Sequence, residues 1–217
     1  MSFRIPENFI PGFKQMLSLP LEDVKKIGDI VMSIPAGTGP EKFEILLNSK
    51  FEQADISSLS TTIYSFGSIL LYSEYGIEEI SDKLTDSLTE DIEDEIDHSD
   101  TKSKLEILLA NSTNLISTFK AIDLISDNDL NYRNSRIFSD IRLLFGEDIE
   151  ENLEGRKAVI IHKLKIESSR NAEPESFYFS LDSNDLVKLK ETINRAINKD
   201  IQIKSDYSNI EFIEVTE

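Results

Sequence analysis

Glu95 and His98 stand three residues apart in "EDEIDHSD", a spacing that sets a carboxylate and an imidazole on one face of a helix. Carboxylate-bridged di-metal bundles use such pairs, but in two copies and with two further glutamates. The chain has only one other histidine, His162, so a ligand is missing and no metal site is expected. A calcium loop would set acids at alternate positions around a turn glycine, and the acidic run lacks that glycine. "PAGTGPEK" (35–42) has the composition of a phosphate loop without its Gly-Lys-Ser/Thr ending, and no strand pattern precedes it. Thr38 and Glu41 instead have capping-box spacing with Pro40 in the first turn, so an interhelical turn is expected. His162 lies in a strand-like run with no cysteine or other nucleophile to activate, and it reads as a half-buried histidine with a hydrogen-bond partner. No catalytic residue and no cofactor are therefore expected. Carboxylate-only chemistry stays open in principle, because acids are everywhere and one sequence does not select a pair.

The acids themselves are unevenly placed. Residues 76–100 hold 11 acids against one base, Lys83. The plain reading is a helix with a narrow Ile77, Ile80, Leu84 and Leu88 stripe and a solvated acidic face. The sharper alternative is an acidic inhibitor or mimic of DNA phosphate that docks a basic, nucleic-acid-binding protein through Glu93, Asp94, Glu95 and Asp97. The formal net charge of −18 divides as 24 acids and 10 bases in residues 1–130, 13 of each in 131–204, and 4 acids without a base in 205–217. Such a field repels nucleic acid, so protein is the expected partner.

These residues must be carried by a chain of 217 residues, 39% hydrophobic, enough for one good core or two small ones. The absence of cysteine suits a reducing cytosol, and "MSFRIPENFIPGFK" lacks the apolar core of a signal peptide, so a cytoplasmic protein with no membrane contact is expected. Abundant Ile, Asn, Lys and Ser with no Trp suggest an AT-rich bacterial source.

Up to about residue 130 the apolar period is helical. Leu21, Val24, Ile27 and Val31 form one stripe, and Ile56, Leu59, Ile63, Phe66 and Leu70 form another. Leu105, Leu108, Leu109, Leu115, Ile116 and Phe119 form a third. About six helices fit into 5–126 as an acidic bundle, domain one at 1–130. "SDNDLNYRNS" (126–135) reads as a linker, and then the period becomes two. Ile137, Ser139, Ile141, Leu143 and Phe145 alternate with Phe138, Asp140, Arg142 and Leu144. Ile160, His162, Leu164 and Ile166 alternate with Lys163 and Lys165, and Phe177, Phe179 and Leu181 share a face. Domain two, 131–217, is thus expected to be a three-stranded antiparallel meander with one packed C-terminal helix. "YSNIEFIEV" is a possible extra terminal strand. The fold class is α+β.

The helix should start at Asp182 as N-cap, with Asp185 completing a capping box and Leu181 and Leu186 at hydrophobic-staple spacing. Its stripe of Leu186, Leu189, Ile193, Ala196 and Ile197 would cover one sheet face. The face left over carries Phe138, Leu144, Val159, Ile161 and Tyr178, which is too apolar to leave in water. These five are the candidate interaction residues. The stretch "IIHKLKIE…SFYFSLDSNDLVKLKETINRA", behind a helical domain, resembles the C-terminal part of COMM-domain proteins over about 136–199. It departs from them in having no Trp before the sheet. The resemblance implies a non-enzymatic scaffold subunit that pairs through sheet and helix, as a homo- or hetero-oligomer.

Overall fold

The computed structural model describes residues 4–51, 56–92, 97–127, 130–145, 157–170 and 173–216. The chain divides into two units, Met1–Ile125 with Ile213–Glu217, and Ser126–Phe212. The architecture is α+β: helices first, then a three-stranded antiparallel sheet and a C-terminal helix.

The first unit holds seven α-helices among the described residues. They are α1 (Ile10–Ser18), α2 (Leu21–Ser33), α3 (Pro40–Lys50), α4 (Ser57–Tyr72), α5 (Ile77–Asp91), α6 (His98–Ala110) and α7 (Thr113–Ser126). Their stripes meet in one core. Val24, Ile27 and Val31 of α2, Ile63 and Phe66 of α4, and Leu105 and Leu108 of α6 are fully buried. Gly12 lets α1 lie on α4 so closely that a Cβ there would sit 2.2 Å from the Ser58 carbonyl oxygen. The run 102–119 is two helices where the period suggests one. At Asn111 and Ser112 polar groups turn back on α6: the Asn111 amide donates to the Ile107 carbonyl (2.8 Å) and the Ser112 hydroxyl to that of Leu108 (2.7 Å).

α3 also starts differently from expectation. Its N-cap is Gly39, and the Thr38 hydroxyl donates to the Pro35 carbonyl at 2.7 Å instead of forming a box with Glu41. Pro40 does occupy the first turn, where its missing N–H costs nothing.

In the second unit β1 (Asn131–Leu143) pairs with β2 (Ala158–Arg170), and β2 with β3 (Glu173–Leu181), all antiparallel. The segment 131–135, expected as linker, is strand: Asn131 and Tyr132 pair with Ser169 and Ser168 across a bulge at Arg133. Cross-strand partners override the polar composition there. Among the described residues there is no fourth strand: residues 211–216 are neither helix nor strand, and 213–216 belong to the helical unit.

Candidate interaction surface

Register decides which side chains share a face, because directly opposed residues point the same way. Ile137 opposes Leu164, which opposes Phe179, and Ile141 opposes Ile160. Ser135, Ile166 and Phe177 continue this aliphatic face one way and Leu143 with Ala158 the other. It also carries His162, whose Nδ1 lies 2.8 Å from the Ser139 hydroxyl across the β1–β2 pair, the partner the sequence calls for, and beyond Ile166 it runs on into Ser168, opposed by Tyr132 and Glu175. The second face carries Arg136 beside Lys165 beside Tyr178, then Phe138 beside Lys163, Asp140 beside Ile161, and Arg142 beside Val159.

Four of the five apolar candidates, Phe138, Val159, Ile161 and Tyr178, thus share this second face, interleaved with charge. The Lys165 ammonium bonds the Glu167 carboxylate, holding that carboxyl below its ordinary range and raising the lysine. Leu144 lies just past β1, where its N–H donates to the Lys157 carbonyl at 2.8 Å. This face is amphipathic and readily solvated.

The aliphatic face is the one expected to lie under the helix, and it stays largely open. α8 (Ser183–Asp206) begins as the sequence predicts: the Asp182 carboxylate accepts from the Asp185 N–H (2.8 Å), and that of Asp185 from the Asp182 N–H (3.1 Å). Leu181, Leu186 and Leu189 are half-buried around this joint. Beyond it the packed helix does not materialise. α8 contains no buried residue, and Ile193, Ile197, Ile201 and Ile203 are exposed. The cause lies in the joint, since only the extended Asp182 stands between β3 and α8. A return along the strands needs a connection of several residues in which to turn.

β3 ends its pairing at His162, so Ala158–Ile161 pairs only with Asp140–Leu143. This end of the sheet is a two-stranded arm, a form marginal in water by itself. Ile141, Leu143, Val159 and Ile160 of the arm are all exposed. The sequence pattern sorts the alternating residues into faces and places α8 over the aliphatic one, which instead stays largely exposed.

The acidic candidates fare differently. Glu93, Asp94 and Glu95 lie outside the described residues. Asp97 is the N-cap of α6, its Oδ1 accepting from the Ser99 and Asp100 N–H groups at 2.9 and 3.1 Å. His98 meets the Thr89 hydroxyl at 3.0 Å through Nε2. Among the described residues no group of three His, Asp or Glu side chains is disposed to hold a metal ion, and no helix is long and apolar enough to cross a membrane. No protein-family model matches the chain, and no curated protein matches it.

Proposed function

We propose that this chain is a non-enzymatic scaffold module that associates with a second copy of itself through the sheet arm and the α8 stripe. The observation that carries the proposal is the exposure of the aliphatic sheet face, Ile137, Ile141, Leu143 and Ile160 above all, together with Ile193, Ile197 and Ile201. Soluble proteins seldom leave contiguous apolar surface of this extent to water unless a partner covers it. A strand edge carries main-chain donors and acceptors that a second strand satisfies.

Charge favours a copy of the same chain as partner. The net −18 would repel another copy overall, but the excess sits in 1–130 and 205–217, whereas 131–204 hold equal numbers of acids and bases. A face whose exposed members are mostly aliphatic, such as Ile137, Ile141 and Ile160, is complementary to itself, as a two-fold interface requires. The resemblance to COMM-domain proteins points the same way, toward pairing through sheet and helix. Light scattering on a sizing column tests it: the full chain should elute at twice 24.7 kDa. A mass of one chain at every loading would overturn the reading.

A further inference from the structure

The loop Pro35–Pro40 is unusual in being buried: Gly37, Thr38 and Gly39 are all shielded, although connecting loops normally run over the surface. One side is closed by the helical bundle itself. The Gly37 N–H donates to the buried Thr118 hydroxyl of α7 (2.8 Å), and the Tyr64 hydroxyl to the Thr38 carbonyl (3.1 Å). The other side is closed by residues 213–216 of the same unit. The Thr216 N–H donates to the Gly37 carbonyl at 2.8 Å, and the Gly39 N–H to the Thr216 hydroxyl at 3.3 Å.

Gly37 is required there twice over. Its φ of +88° is left-handed, and a Cβ on it would stand 2.3 Å from the Glu214 carbonyl oxygen and 2.9 Å from Ile213 Cγ2. Ile213 and Val215 are 37% exposed, and the backbone and the Thr216 hydroxyl supply hydrogen bonds that hold the segment. Main-chain capture of an extended segment is a mode of peptide recognition. Thr216 and Gly37 are 179 residues apart in sequence, and the hydrogen bonds between their segments are few.

We propose that the Gly37–Gly39 loop is a docking cradle for an extended, threonine-bearing peptide, and that its occupant, the 213–216 segment, can be exchanged for that of a second copy. This is independent of association through the sheet, since only the helical unit takes part. The probe is a fluorescein-labelled peptide of residues 207–217, titrated by anisotropy into the full chain and into a chain ending at Asp206. The shortened chain should bind it saturably, and the full chain about tenfold or more weakly, because its own tail competes at millimolar effective concentration. Thr216→Val in the peptide removes the hydroxyl that accepts from the Gly39 N–H and donates to the Gly37 carbonyl, and should weaken binding about fivefold or more. Gly37→Ala in the shortened chain should abolish it. No binding by a shortened chain with an unchanged melting transition, equal binding by both chains, or undiminished binding by Gly37→Ala would each overturn the proposal. Should the shortened chain not fold, hydrogen exchange on the full chain decides. The Thr216 amide should be protected, and Gly37→Ala should release it while the bundle amides stay protected. An amide equally protected in both would overturn the proposal.

Discussion

Replacing Ile141 and Ile160 with threonine strips apolar area from the arm while keeping the β-branched shape that strands favour. The two oppose each other on adjacent strands and are 71% and 50% exposed. Complete burial of an isoleucine side chain is worth about 2 kcal/mol, so covering what is open at these positions contributes roughly 2.4 kcal/mol per copy. A two-fold interface counts each residue twice, giving about 5 kcal/mol per dimer. Threonine keeps a methyl group, and if half the contribution survives, the loss is about 2.5 kcal/mol, a dimer dissociation constant raised about 60-fold. Sedimentation equilibrium over a concentration series measures this. Ile45→Thr on the exposed surface of α3 is the control, since Ile45 is as exposed but belongs to the helical unit. A double variant that self-associates like the unchanged chain would refute the assignment of the arm, as would equal weakening by the control.

Three further outcomes follow from local chemistry. Asp182→Ala removes the acceptor for the Asp185 N–H and should cost α8 about 1 kcal/mol, seen as faster amide exchange over 183–188. Lys104 is 4% exposed and donates to the Leu17 carbonyl (2.8 Å) while paired with Asp100 (2.6 Å). Lys104→Ala should therefore destabilise the bundle by roughly 1.5–3 kcal/mol, a lowered thermal midpoint. Glu167, held low by its bond to Lys165, contributes stability that is present above its unfolded pKa and fades as pH falls through the depressed folded one. A carboxyl titration followed by NMR should place Glu167 below a free glutamate, and Lys165→Met should bring it back up.

What the sequence reveals and hides follows from the range of the interactions. Val24, Ile27 and Val31 announce the buried side of α2 because the helical period is local. Asp182 and Asp185 announce the capping box for the same reason, and the alternation through His162–Ile166 sorts the sheet into its two faces. The uncovered face is not legible that way, since it depends on the direction α8 takes from a one-residue joint. Asp97 as an N-cap is hidden among neighbouring acids that offer the same chemistry. The break at Asn111–Ser112 is a small polar dip in an otherwise apolar run, decided by side chains that fold back onto α6. The Gly37 cradle is least visible, because the tail that fills it is 179 residues away and looks like a strand.

The central claim, that the arm is the seat of self-association, is tested most directly by distance. The chain has no cysteine, so a single spin label at Ala158→Cys, on the exposed end of β2, reports without background. Pulsed dipolar spectroscopy should give a discrete interspin distance that disappears when labelled chain is diluted with unlabelled chain. A featureless decay for the Ala158 label, at concentrations where ~1 µM affinity would make the dimer dominant, would contradict the account.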